Sequence, residues 1–149
     1  MQTTVVTKTA EETEFLGEKI GKRLKGGEVI ELISDLGGGK TTLTRGIARG
    51  AGSSDVVGSP TFTLSKVYKT QKFEIHHFDF YRLAEAGLME HELHDLLGDQ
   101  RTVVVVEWGD VVQHVLPDQR LTINLAQTAD GDRQLTCQYP QTMAYLVTE

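Results

Sequence analysis

The sequence holds one cysteine, Cys137, one asparagine, Asn124, and three prolines among 149 residues. A lone cysteine excludes an internal disulfide framework, so stability must come from a packed core, and a reducing cytoplasm is the expected compartment. Long apolar runs are missing as well. Stretches such as Val103 to Val106 fall far below the roughly 18 residues that a transmembrane helix needs. The opening Met1-Gln-Thr-Thr-Val-Val-Thr-Lys8 has neither the charged start nor the apolar stretch of an export signal. Positive charge is in deficit: 15 Lys and Arg stand against 21 Asp and Glu, a net charge of −6. Broad clamping of nucleic acid, which depends on Lys and Arg displacing counterions, is therefore disfavoured.

What is present is the balance of an ordinary globular protein, with 39% apolar and 24% charged residues. The length suits one domain, and residues 1–149 are read as a single unit. Thr3 to Val6 predicts a strand, and Thr9-Ala-Glu-Glu12 fits a capping box opening a helix to about Lys25. Leu16, Ile20 and Leu24 form its apolar stripe, and Glu18 and Lys22 can pair on the exposed side. Lys19, Lys22, Arg23 and Lys25 read as a solvated face. Glu28 to Ile33 predicts an interior strand, and Leu43 with Ile47 one face of a helix reaching about Arg49. Two antiparallel strands are expected at Thr61 to Tyr68 and Lys72 to Tyr81. A helix follows on Leu88, Glu92 and Leu96, with Leu93 and Leu97 beside them, before the clearest strand, Thr102 to Trp108. Asp110 to Leu116 predicts a short helix, and strands at Leu121 to Leu125 and Arg133 to Tyr139 flank the Asp130-Gly131 turn. The alternation argues an α/β layered fold with a mixed, mainly parallel sheet flanked by helices.

Chemistry concentrates in Ser34-Asp-Leu-Gly-Gly-Gly-Lys40-Thr41-Thr42, which resembles a Walker A loop. Such a loop wraps phosphates in backbone N–H groups, reaches them with a lysine and holds magnesium through a hydroxyl. Gly37, Gly38 and Gly39 allow close approach to an anion. The loop follows a hydrophobic strand and opens an amphipathic helix, the order the mechanism needs. Ser34 stands where the motif asks for glycine, which is tolerable at negative φ.

Two acids are expected nearby. The apolar run Val103 to Val106 ends in Glu107-Trp108, and ligands of open α/β sheets bind at the carboxyl ends of strands, where magnesium needs hard oxygen ligands. In Ile75-His-His-Phe-Asp79-Phe-Tyr81, alternation puts His77, Asp79 and Tyr81 on one face and Phe78 with Phe80 on the other. Asp79 can orient an attacking water or hold magnesium through water. The alternative is a transition-metal pair made by His77 and Asp79. His91 and His94 read as surface residues.

The segments Ser34 to Thr42, Ser59-Pro-Thr-Phe-Thr-Leu64, His77-Phe-Asp-Phe-Tyr-Arg-Leu83 and Val106-Glu-Trp108 together resemble the TsaE family, formerly YjeE. The resemblance spans roughly residues 9 to 125 and leaves the C-terminal tail with little to add. It implies a P-loop NTPase-like ATPase that uses ATP and magnesium. It also implies partnership with TsaB and TsaD in making threonylcarbamoyladenosine on tRNA, with activated threonylcarbamoyl supplied by TsaC and tRNA met only through the complex. By the same resemblance Lys40 is the phosphate-binding lysine, Thr41 the magnesium hydroxyl, Glu107 the second magnesium ligand and Asp79 an acid important for hydrolysis. Thr42 completes the phosphate loop, and Arg133 follows a turn as a nucleotide-contacting arginine does. Ser59 to Leu64, with Thr61 and Thr63, occupies the place of a switch segment. Trp108 is either a reporter of nucleotide state or a core-packing residue. Competing readings are a small-molecule kinase and a nucleotide-sensing module. A GTPase is disfavoured, because the Asn-Lys-x-Asp motif is missing.

Overall fold

A computed structural model describes residues 1–34, 39–58, 65–81 and 87–148. Gly37, Gly38, Ser59 to Leu64, Arg82 and Leu83 lie outside the described residues. The elements run β1 (Gln2–Thr7), α1 (Ala10–Arg23), β2 (Val29–Ile33), α2 (Lys40–Gly50), β3 (Ser65–Lys69), β4 (Glu74–Asp79), α3 (Leu88–Leu96), β5 (Thr102–Glu107), β6 (Leu121–Gln127) and β7 (Arg133–Gln138). Two 3-10 helices, Gly109–Val112 and Gln141–Leu146, follow β5 and β7. The seven strands form one sheet in the order β1-β7-β6-β2-β5-β4-β3. Its centre, β6-β2-β5-β4, is parallel, while β1-β7, β7-β6 and β3-β4 pair antiparallel. Five of the seven strands thus point the same way, which bears out the mixed, mainly parallel sheet. No helix among the described residues is long and apolar enough to cross a membrane.

The four valines of β5 explain its central place, because a strand covered on both faces needs apolar side chains on both. Val103 and Val105 join the larger core with Ile30, Leu32, Leu43, Ile47 and Ile123, on the face that α1 and α2 cover. Val104 and Val106 join Val29, Phe78, Phe80 and Leu93 on the other. Phe78 and Phe80 share a face as the alternation requires.

Helix α1 begins at the expected capping box: Thr9 Oγ1 accepts from the Glu12 amide at 3.1 Å, and the Glu12 carboxylate accepts from the Thr9 amide at 3.1 Å. It packs on α2 through small residues as well as its apolar stripe. A Cβ at Gly21 would lie 2.8 Å from the Ala51 nitrogen, and one at Gly46 would lie 2.9 Å from the Glu14 carbonyl carbon. Glu18, expected to pair with Lys22, instead lies 3.7 Å from Arg49 on α2, which also holds Glu14 at 3.1 Å. Because backbone meets backbone here, Gly21→Ala is expected to destabilise the fold by about 1–3 kcal/mol through overpacking. Urea unfolding measures it, and a change under about 0.5 kcal/mol, the scale of ordinary surface substitutions, would mean that the two helices can part without loss.

Two expectations are corrected. Helix α3 turns Leu93 inward with Met89, Leu96 and Leu97, and leaves Leu88 84% exposed and Glu92 exposed. The inward stripe is therefore offset by one residue from the one expected. The short helix expected over Asp110 to Leu116 is present as a 3-10 helix but covers only Gly109–Val112. The C-terminal tail, which the resemblance does not reach, buries Met143 and Leu146 in the larger core, and its Tyr145 hydroxyl donates to Glu28 Oε2 at 2.6 Å.

Candidate functional site

The carboxyl ends of β2, β4 and β5 lie side by side. Leu32 and Asp79 are both register partners of Glu107, so the last rung of the parallel centre carries Glu107 with Asp79 next to it. From β2 the chain reaches Gly39, whose φ of 99° is the left-handed conformation that glycine adopts without strain. Gly39 is the N-cap of α2 and forms no side-chain cap. The first N–H groups of the helix lie at the positive end of its dipole, where anions bind.

Lys40 opens α2 and is only 7% exposed. Its Nζ donates to the Ser34 carbonyl at 3.3 Å, stands 3.8 Å from Glu107 Oε1 and lies 4.3 Å from the centre of the Trp108 ring. Carboxylate and aromatic face both attract a cation, and so the ammonium is retained at the mouth of the loop. Ser34 needs no glycine: among the described residues, Trp108 is the one non-glycine with positive φ.

Glu107 is buried, and its Oε2 is hydrogen-bonded to His77 Nε2. On the other side of that ring, His77 Nδ1 is 3.1 Å from the Tyr68 hydroxyl, which donates to the Gly58 carbonyl at 3.0 Å. Both ring nitrogens are hydrogen-bonded to protein groups, which suits His77 to supporting Glu107. Asp79 is also buried and accepts from the Tyr81 amide through Oδ1 at 2.8 Å. His91 and His94 are exposed, as expected.

Burial pushes the Tyr68 hydroxyl up to about 12, and the nearby Glu107 charge adds to the shift. Burial likewise lifts the Cys137 thiol to about 11 from 9.0. In both cases the unfolded chain loses its proton first, so the unfolded state binds fewer protons and stability falls as pH rises. Stability should be intact below about pH 9 and decline through about pH 12. Denaturant midpoints across that window measure the decline, and Cys137→Ala should flatten its lower part. An equally steep decline in that variant would remove the thiol from the account.

Trp108 follows Glu107 with φ of 54°, a left-handed conformation costly to a bulky residue. Its ring meets Lys40 on one side and Tyr81, at 4.8 Å between centroids, on another, and it also packs against the smaller core. It is thus both a site residue and a packing residue. The chain beyond it is held by Glu31, a buried carboxylate that accepts from Gln113 Nε2 at 2.5 Å and Arg120 Nε at 3.1 Å. Gln113 Nε2 also donates to the Gly109 carbonyl at 3.2 Å.

A second wall forms where the β6–β7 turn approaches the same loop. Gly39, Thr42 and Arg133 line a cavity of about 260 Å³ with Thr7, Thr9 and Thr13 at the start of α1. Thr41 lies half-buried in the first turn of α2. The fold therefore gathers Lys40, Glu107, Asp79 and Trp108 in one cluster, and Gly39, Thr42 and Arg133 along a neighbouring cavity. Sequence reasoning missed Tyr68, Glu31 and the bond from His77 to Glu107. Alternation had placed His77 on the face of Asp79, but finding Glu107 there requires knowing that β4 pairs with β5.

The family model described as "Threonylcarbamoyl adenosine biosynthesis protein TsaE" matches residues 7–135. A protein of Bacillus subtilis called tRNA threonylcarbamoyladenosine biosynthesis protein TsaE is 37% identical over 134 residues, covering 87% of this chain and 81% of the relative. One of the same name from Streptomyces coelicolor is 39% identical over 130 residues, covering 81% and 86%. The crystal structure of Bacillus subtilis YdiB superposes with a TM-score of 0.80 at 32% identity, covering 98% of this chain and 91% of that one. With strand order, phosphate loop and sequence in agreement, the chain belongs to the TsaE family of tRNA threonylcarbamoyladenosine biosynthesis proteins.

Proposed function

We propose that residues 1–149 form one P-loop ATPase domain that binds ATP with magnesium and hydrolyses it, and that this hydrolysis supports turnover of a TsaB and TsaD complex. The observation that carries the reading is the buried Lys40 ammonium at the open N-terminus of α2, beside a buried carboxylate, Glu107. A retained cation at a helix N-terminus suits polyphosphate, and a carboxylate supplies the hard oxygen that magnesium prefers. ATP brings the phosphoanhydride to be cleaved, and magnesium neutralises charge on its phosphates.

Within that reading each side chain has one task. Gly37 and Gly38 belong with Gly39 to the phosphate loop by resemblance, and Lys40 supplies a compact positive charge to the phosphates. Thr41 and Glu107 hold the metal, with His77 fixing the carboxylate from behind. Thr42 and Arg133 face the rest of the nucleotide from the second wall. Asp79 orients the attacking water, and Trp108 closes the lysine side. A net charge of −6 suits contact with tRNA through protein partners rather than by direct clamping. A role in tRNA modification supports a cytoplasmic location.

ATP hydrolysis by the purified chain with magnesium, alone and with TsaB and TsaD together, tests the reading. Stimulation by the pair is the expected outcome. ATP binding with no stimulation would favour a nucleotide sensor or a kinase with another acceptor.

A further inference from the structure

We propose that His77 and Tyr68 are positioning residues which set the direction of the Glu107 carboxylate and tie it to the loop carbonyl of Gly58; this rests on reading Glu107 as a metal-holding acid. All three side chains are buried, in a row across neighbouring strands: Tyr68 on β3, His77 on β4 and Glu107 on β5. His77 occupies Glu107 Oε2, which leaves Oε1 toward Lys40 and the start of α2. Without that bond the carboxylate can rotate away from the loop.

Proton counting makes Tyr68 part of the arrangement. Its hydroxyl has one hydrogen, yet both the Gly58 carbonyl at 3.0 Å and His77 Nδ1 at 3.1 Å are within reach. When the hydrogen goes to Gly58, Nδ1 must donate to the Tyr68 oxygen, and Nε2 donates to Glu107 as well only if the ring carries both hydrogens. When it goes to Nδ1, the Gly58 carbonyl loses this partner and Nε2 is the ring's donor to Glu107. The loop at Gly58 and the carboxylate therefore share one hydrogen-bond arrangement. A chain of this kind around a metal-holding group sets ligand direction, and its loss typically costs about 10–100-fold in metal affinity or activity.

The test uses conservative replacements in the full chain. In His77→Gln the amide nitrogen can occupy the place of Nε2 and still donate to Glu107, whereas in His77→Asn it reaches only the place of Nδ1. His77→Asn should raise the magnesium concentration needed for half-maximal hydrolysis by about tenfold, and His77→Gln should restore most of the loss. Tyr68→Phe, which keeps the ring, should shift the magnesium requirement in the same direction by less. Equal magnesium requirements in His77→Asn and wild type, or equal defects in His77→Asn and His77→Gln, would overturn the proposal.

A ligand-free measurement stands apart from ATP chemistry. The melting-temperature changes of Tyr68→Phe and Glu107→Gln should be non-additive in the double variant, because both act on the His77 ring. Additive changes would break the chain from Tyr68 to Glu107 whether or not ATP binds. A wild-type chain that shows this coupling but binds no ATP would count against the ATPase reading alone.

Discussion

Replacing Lys40 with alanine is expected to abolish measurable ATP binding, a loss of about a hundredfold or more in affinity. Charge-assisted hydrogen bonds contribute roughly 1.5–3 kcal/mol each, and a lysine at this position makes more than one with phosphate oxygens. Being only 7% exposed, the ammonium is poorly screened by salt, so its charge acts at nearly full strength. Its neighbours, the Ser34 carbonyl, Glu107 and the Trp108 ring, hold it at the loop before any ligand arrives, which lowers the entropy cost of binding. The variant should still fold, because α2 docks through Leu43 and Ile47, both fully buried. Calorimetric titration with ATP and magnesium, alongside circular dichroism as a check on folding, measures the effect. A folded variant with affinity within about threefold of wild type, less than one kcal/mol, would end the phosphate-loop assignment.

The second large effect is expected from Asp79→Asn, which should leave ATP affinity within about twofold but lower the rate of hydrolysis about a hundredfold, the scale of a lost catalytic base. Asparagine is chosen because its side-chain oxygen can still accept the Tyr81 amide bond that Asp79 Oδ1 accepts at 2.8 Å. The turn after β4 is thus preserved while the charge is removed. Asp79→Ala loses both, so the comparison separates chemistry from support. Full activity in Asp79→Asn with a defect in Asp79→Ala would reduce Asp79 to an anchor for Tyr81. Weakened binding in both would make it a holder of the metal beside Glu107, its register neighbour. Single-turnover measurements distinguish these outcomes by separating binding from the chemical step.

Local patterns carried much of this site in the sequence. The order of strand, glycines, Lys40 and helix needs only neighbouring residues to be read, and the run of valines before Glu107 announces a buried strand with an acid at its end. Asp79 follows from alternation along β4. What escaped depends on which strands are neighbours. The contact of His77 with Glu107 exists because β4 lies against β5, and Glu31, in a strand that reads as hydrophobic, finds Arg120 across the β2–β6 pairing. The seat of α1 on α2 escaped for another reason. An apolar stripe foretells side chains meeting side chains, whereas Gly21 and Gly46 let backbones meet, and small residues leave no mark in a hydrophobic pattern. The left-handed Trp108 was equally silent, since that conformation is held by Lys40, Tyr81 and the chain beyond rather than by the preference of tryptophan itself.

The strand order also governs when the site can come into being. During synthesis β2 emerges early, but its two partners, β5 and β6, lie far along the chain. A nascent polypeptide that has reached only α3 carries β2 with both edges open, and no Glu107 to face Lys40. Arg133 and the second wall arrive later still, with β7. Pairings so distant in sequence close slowly, and strands with open edges invite association with other chains. Products of interrupted translation should therefore be unable to hold nucleotide and prone to aggregate, and the last third of the chain completes the phosphate site that the first third begins.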